Sequence, residues 1–342
     1  MSGGRGLRAF ISGCEGTSLT ASERRFFREA RPCGLILFKR NCETPEQIRR
    51  LTGEFREAVG DPASLVLIDQ EGGRVQRLSP PLWRQYPPGR AFGALYARAP
   101  AKGLEAARAG ARLIARDLSS LGITVNCAPV LDVPVAGAHD IIGDRAYGRT
   151  PEQVTAVGGA VIEGYLQGGV LPVVKHIPGH GRATADSHAA LPVITEPRET
   201  LEATDFAPFR TLKDAPLGMT AHVLITAADA DTPASASRAV VQGIVREAIG
   251  FDGLLMCDDI GMNALSGTME ARAAAVLAAG CDVVLHCSGN LMQMETVAAV
   301  SPVLAGDAAR RFEAALARLT APAPFDEARA EELLGEVLAE IA

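Results

Sequence analysis

Short runs of β-branched and aliphatic residues alternate along this chain with stretches whose apolar positions recur at helical spacing. That is the pattern of a parallel sheet joined by crossover helices. Eight apolar runs are predicted as strands: Leu7 to Ser12, Gly34 to Phe38, Leu65 to Asp69, Val125 to Leu131, Leu171 to His176, Gly218 to Val223, Gly253 to Cys257 and Asp282 to Cys287. Between them the spacing predicts helices over Ala21 to Ala30, Thr44 to Val59, Gly103 to Leu121, Pro151 to Gln167, Arg198 to Lys213, Arg238 to Ile249 and Met269 to Ala279. Two of these open on Thr-Pro-Glu-Gln, at Thr44 and Thr150, which supplies a capping hydroxyl, a proline at the first helical position and a glutamine at the third. Leu291 to Leu304, Asp307 to Leu319 and Asp326 to Ile341 follow as further helical stretches.

Eight strands alternating with helices describe an α/β chain closed as a (β/α)8 TIM barrel. Residues 1–342 are expected as one TIM-barrel domain, with 305–342 a C-terminal helical extension packed on the barrel. The eighth strand is the weakest of the set, so a doubly wound open sheet stays as the alternative.

Hydrophobic residues make up 47% of the 342, but aromatics only 5% with a single Trp, so the core must be aliphatic. The net charge of −6 contains no long basic run, which argues against a nucleic-acid partner. Seven cysteines without paired CxxC spacing read as reduced thiols of a cytoplasmic protein. The apolar stretch Leu7 to Ile11 is too short for a signal sequence or a membrane span, so the mature chain is expected to begin near Met1.

In such a barrel the catalytic side chains come from the carboxyl ends of the strands and the loops after them. Here those ends carry Asp69-Gln70-Glu71-Gly72-Gly73, Asp132, Lys175-His176, His222 and Asp258-Asp259. The stretch VVKHIPGHGRATADSHAALP, residues 173 to 192, leaves a buried strand through Lys175 and His176 into a loop broken by Pro178, Gly179 and Gly181. Its histidines admit three readings. As metal ligands, His176, His180, Asp186 and His188 are suitable elements, but Pro178 and Gly179 defeat helical HxxxH spacing. As structural residues they cap the loop, His180 above all. As a carboxylate–imidazole dyad, Asp186 and His188 stand two apart in extended chain and project to the same side, so Asp186 orients and charges a ring that moves protons.

Asp258 follows the Gly253 to Cys257 strand, where an exposed carboxylate is a candidate nucleophile; the competing reading is that Asp258 and Asp259 cap the next segment. Asp69 and Arg77 suit the hydroxyls of a polyol, whereas Arg74 and Glu71 are expected to form a structural ion pair. Arg145, in the Gly-flanked stretch Gly143 to Gly148, is either another substrate ligand or a solvated loop arginine.

KHIPGHGRATADSH, together with IDQEGGRVQR, NCAPVLDV, GDRAYG and GFDGLLMCDD, resembles the NagZ-type bacterial β-N-acetylglucosaminidases of peptidoglycan recycling, within glycoside hydrolase family 3. The likeness runs in order from about Gly34 to Cys287. It implies a single barrel and a retaining double displacement in which a histidine replaces the usual second carboxyl group. Asp258 then attacks the anomeric carbon, His188 is the acid and base, and Asp186 supports it. Asp69, Arg77, Arg145, Lys175 and His176 are implied to hold a terminal N-acetylglucosamine. The implied substrate is a carbohydrate, N-acetylglucosamine-containing muropeptides, with no metal or organic cofactor and no membrane or nucleic-acid partner. Cys257 and Ile177 depart from the residues many relatives have there. A family 3 β-glucosidase and a β-N-acetylglucosaminide phosphorylase remain as alternatives, the latter because a histidine acid/base does not repel an anionic phosphate.

Overall fold

A computed structural model of the chain describes residues 5–341, apart from 184, 186 and 188–190. Asp186 and His188 therefore lie outside the described residues.

The centre is an eight-stranded parallel sheet: β1 (Arg8–Ser12), β2 (Pro32–Leu37), β3 (Leu65–Ile68), β4 (Val125–Asn126), β5 (Leu171–Ile177), β6 (Leu217–Thr220), β7 (Leu254–Cys257) and β8 (Val284–His286). Neighbours pair in chain order from β1 to β7, and β8 returns to lie beside β1. The ring closes between β7 and β8 through a parallel Met256–Val283 bridge, and the Asp282 and Val283 N–H groups donate to the Leu255 carbonyl at 2.8 and 3.2 Å. Closure leaves no sheet edge to protect. It also decides against the open doubly wound sheet.

All eight predicted strands are present, and β4 is the most shortened. Pro129 has no N–H to give the ladder, so residues 128 to 131 run beside β5 with irregular bonding: Val173 and Lys175 donate to the Ala128 and Pro129 carbonyls, and Leu131 donates to Lys175. Three helices, Ala21–Ala30, Pro151–Gln167 and Met269–Ala279, have the predicted bounds. The Thr44 and Thr150 hydroxyls accept from the Gln47 and Gln153 N–H groups, so both caps form.

Two helical expectations need correction. The stretch from Arg198 is two short helices, Arg198–Ala203 and Ala207–Thr211, because the chain turns at Asp205 and Pro208 cannot continue the earlier ladder. The segment before Gly103 is not a loop: a helix spans Gly89–Arg98, and the next, Pro100–Ser119, starts three residues earlier than expected. Gly89 and Gly93 weaken the helical pattern, yet the tertiary fold uses their missing side chains. A Cβ at Gly93 would stand 1.8 Å from the Tyr147 carbonyl oxygen, and one at Gly89 2.2 Å from that of Arg145. This helix face thus seats the 145–147 backbone directly.

The aliphatic core surrounds one aromatic group, in which Phe10, Phe26, Phe27 and Phe55 meet edge to face at 5.2–6.3 Å. Each such burial is worth about 1.5–3 kcal/mol. Near the chain end, Leu333, Leu334 and Val337 of the helix Glu327–Ala339 are buried, and the Arg112 guanidinium lies 4.5 Å above the Phe325 ring. All seven cysteines are buried and unpaired. Among the described residues no helix is long and apolar enough to cross a membrane.

Candidate active site

The carboxyl ends of the strands open into a cavity of about 300 Å³ lined by Asp69, Glu71, Arg77, Arg145, Lys175, His176 and Asp258, with Phe38, His180, Ser187 and Met262 completing the wall. The cavity gathers every described candidate from the sequence: Asp258 and the five expected substrate ligands. Three strand ends and two loops supply them.

β3 runs out through Asp69 into a short antiparallel ribbon, Gln70–Gly72 with Val75–Gln76, that turns at Gly72 and Gly73. Extended chain alternates its faces. Asp69 and Glu71 therefore face the cavity together, while Gln70 faces the protein. There its amide accepts from the Arg77 and Leu78 N–H groups and donates to the Leu78 carbonyl, which holds the ribbon in register.

Lys175, only 2% exposed near the end of β5, is charge-paired on both sides. Its Nζ lies 2.9 Å from Asp69 Oδ1 and 2.6 Å from Glu71 Oε1. Arg77 closes one flank on Asp69 at 3.0 Å, and Arg145 closes the other as a two-toothed fork on Glu71 at 2.8 and 2.9 Å. The Arg77 guanidinium also lies over the Phe38 ring, 5.3 Å from its centroid. Two carboxylates and three cations thus form one chain of alternating charge. Burial alone would push the acids up, but Lys175 and Arg77 hold Asp69 well below the usual carboxylate range, and Arg145 and Lys175 bring Glu71 down to about 2. The array leaves fixed, fully charged donors and acceptors around the cavity, as polyol hydroxyls require.

The expected Glu71–Arg74 pair does not form. Arg74 turns outward to Asp144, at 3.0 Å, and to Asp140, because it sits across the ribbon turn from Glu71. Arg145 is not a solvated loop residue either: its side chain is 11% exposed and committed to Glu71.

Asp132, fully buried just beyond β4, accepts three hydrogen bonds: from His176 Nδ1 at 2.6 Å, from the His180 N–H at 2.6 Å and from the His176 N–H at 3.3 Å. Burial would raise its pKa, yet His176 outweighs this and lowers it. Asp132 thereby points His176 Nε2 away from itself and ties down the start of the 177-to-188 loop. The His180 ring packs edge-on against His176 at 5.7 Å and lies 3.3 Å from the Ser187 hydroxyl. Burial and the neighbouring His176 bring its pKa down to about 4, so it is neutral at pH 7. Ser187, in the cavity wall, accepts at its carbonyl from the Ala264 N–H at 3.2 Å.

Asp258 is the first residue past β7, and the Asp259 N–H donates to its Oδ1 at 2.8 Å. Burial opposes its ionisation. His176, His222, the Asp259 N–H and Lys175 outweigh burial and hold the carboxyl below its ordinary value. Asp259 also lines the cavity rather than facing elsewhere, but its Oδ1 is taken up by the Gly261 and Cys287 N–H groups at 3.0 and 3.1 Å. His222 lies below, accepting from Ser235 at Nδ1 and donating from Nε2 to the Asp259 carbonyl. The loop turn is therefore braced by Asp259, and the Asp258 carboxylate is left to the cavity.

Glu71, Asp132 and Phe38 were not singled out as site residues by sequence. The alternation of Asp69 and Glu71 was a usable signal for the first, and the strand-end position for the second. Nothing local marks Phe38.

A larger cavity of about 540 Å³ lies behind the turn that carries Arg145, lined by Arg90, His139, Asp144 and Arg149 among others. It contains none of the candidate residues.

The model of the glycosyl hydrolase family 3 N-terminal domain matches residues 16–321. A β-hexosaminidase of Aromatoleum aromaticum is 36% identical over 314 residues, 91% of this chain and 87% of that protein. One of Methylococcus capsulatus is 41% identical over 80% of each chain. Among solved structures, NagZ from Neisseria gonorrhoeae in complex with N-trifluoroacetyl-D-glucosamine superposes with a TM-score of 0.85 at 29% identity, over 98% of both chains. A family 3 β-N-acetylglucosaminidase from Paenibacillus sp. superposes equally well, with a TM-score of 0.85 at 29% identity, over 97% of this chain and 67% of that one. With the closed barrel and the strand-end carboxylates already in place, the chain belongs to glycosyl hydrolase family 3.

Proposed function

We propose that this protein is a retaining exo-β-N-acetylglucosaminidase that releases terminal β-linked N-acetylglucosamine from muropeptide and other peptidoglycan fragments in the cytoplasm. The observation that carries the reading is the position of the Asp258 carboxylate, past the end of β7, lining the same cavity as the Asp69–Lys175–Glu71–Arg145 array. The array offers acceptors and donors to the sugar hydroxyls. His176, oriented by Asp132, adds a further ring nitrogen. The named relatives add support from two sides: they are β-hexosaminidases by sequence, and one holds an N-acylated glucosamine.

In the first step an Asp258 oxygen bonds to the anomeric carbon while the glycosidic C–O bond breaks, and His188 gives the leaving oxygen its proton. In the second step His188 takes a proton from water, the water oxygen bonds to the anomeric carbon, and the bond to Asp258 breaks. Asp186 supports the imidazolium form that begins the first step and is restored by the second. A single group serves as acid and then base because its unperturbed pKa, about 6.5, lies near neutrality.

Turnover of aryl N-acetylglucosaminide against aryl glucoside, each with and without inorganic phosphate, tests the reading. Free N-acetylglucosamine, released only from the first substrate and unaffected by phosphate, is the expected result. Sugar 1-phosphate as product, or equal turnover of the glucoside, overturns it.

A further inference from the structure

The loop that carries Asp186 and His188 leaves the barrel through Pro178 to Ala183 and returns through Pro192 to Glu196, and its two limbs are held very differently from ordinary surface chain. On the outgoing limb, Gly181 lies against the 133–135 backbone so closely that a Cβ there would stand 2.1 Å from the Val133 carbonyl oxygen. Val135 donates to Gly181 at 3.3 Å and His139 to Ala183 at 2.9 Å. On the returning limb, Leu224 and Thr226 donate to Pro192 and Ile194 at 2.8 and 3.0 Å.

One side chain joins the limbs. Arg182 Nε donates to Asp205 Oδ2 at 2.6 Å, its Nη2 donates to the Thr204 hydroxyl at 3.0 Å, and its Nη1 lies 3.6 Å from Glu196 Oε1. Asp205 is 2% exposed, sits at the break between the two short helices, and also accepts from Thr204 at 2.7 Å. Its other oxygen, Oδ1, is buried and has no hydrogen-bond partner among the described residues. A half-satisfied buried carboxylate costs stability, which sets Asp205 apart from an ordinary surface ion pair.

We propose that Arg182 and Asp205 are positioning residues for proton transfer: the Arg182–Asp205–Glu196 clasp, closed across the base of the loop, fixes the two limbs that flank His188 in the chain. The proposal rests on the reading of His188 as acid/base. None of the three clasp residues lines the cavity. Loss of the clasp therefore frees the limbs on either side of His188 and should impair proton transfer alone, with Asp258 and the sugar ligands unaffected.

The test uses the full-length enzyme and two aryl β-N-acetylglucosaminides, phenyl with a poor leaving group and 2,4-dinitrophenyl with one that departs unprotonated. Arg182→Met is expected to lower kcat/KM for the phenyl glycoside roughly 10²-fold, with little effect on the dinitrophenyl one. Arg182→Lys, which keeps the charge but not the fork, should fall between. Asp205→Asn, a milder change, should repeat the selectivity if Arg182→Met folds poorly, as judged by thermal unfolding. Equal losses on both substrates, or none on either, in both variants overturn the clasp. His188→Ala separates this failure from that of the underlying reading. If it is leaving-group selective and the clasp variants are not, only the clasp falls; if it is not selective itself, both fall.

Discussion

Asp132 Oδ2 lies 2.6 Å from His176 Nδ1, and the same carboxylate accepts the His180 N–H. One buried acid thus fixes both the tautomer of a cavity-lining ring and the take-off of the loop after it. Asp132→Asn keeps the shape but offers Nδ1 an amide, which no longer favours the same proton position. A fall of roughly 10²-fold in kcat/KM is expected, the scale of a displaced ligand, with circular dichroism unchanged. Activity within threefold of the wild type would remove Asp132 from this role.

Asp258→Asn should reduce turnover of N-acetylglucosaminides by at least on the order of 10⁴-fold. A mechanism-based fluorinated glycoside should label the wild type on the peptide containing Asp258 and fail to label the variant. Labelling at Asp259 instead would reassign the nucleophile.

His188→Ala should slow substrates with poor leaving groups by roughly 10²–10⁴-fold and activated aryl glycosides far less, because only the former need full proton donation. Asp186→Asn should move the same way by a smaller factor. Uniform losses across a leaving-group series would mean that neither residue handles the proton.

Glu71 has an ordinary pKa of 4.5 and is brought to about 2 in the folded protein. A depressed folded value gives stability that is present above the unfolded pKa and lost as pH falls toward the folded one. Urea unfolding should therefore show stability declining between about pH 4.5 and pH 2. Glu71→Gln should flatten that decline. It should also cost about 3–5 kcal/mol at pH 7, since Lys175 and Arg145 lose a buried partner. An unchanged acid limb in the variant would show that the array does not contribute to it.

Gly93→Ala improves helix propensity by about 1 kcal/mol, but its Cβ meets the Tyr147 carbonyl. The 145–147 backbone must then move and take Arg145 with it. A rise in KM of roughly tenfold, with a lowered melting temperature because the overlap outweighs the gain in propensity, is the expected outcome. Wild-type kinetics would show that the turn accommodates the methyl group without moving Arg145.

Much of this site is legible in sequence because barrel chemistry sits at strand ends. Apolar periodicity places the ends, and polar residues stand there without local need: Asp69 after β3, Lys175 and His176 closing β5, Asp258 after β7. The helix Gly89–Arg98 was hidden because its two glycines serve a contact with residues more than fifty positions later, which local propensity does not register.

What the sequence by itself determined is the architecture and the chemical inventory: eight strand runs, the capped helices between them, and the residues at their carboxyl ends. Only the tertiary structure decided the pairing. Glu71 chose Arg145, 74 residues away, over Arg74, and Lys175 reached back 106 residues to Asp69. Ion partners are selected by where closure of the barrel brings strand ends together around one cavity, and that is a property of three-dimensional proximity, not of spacing along the chain.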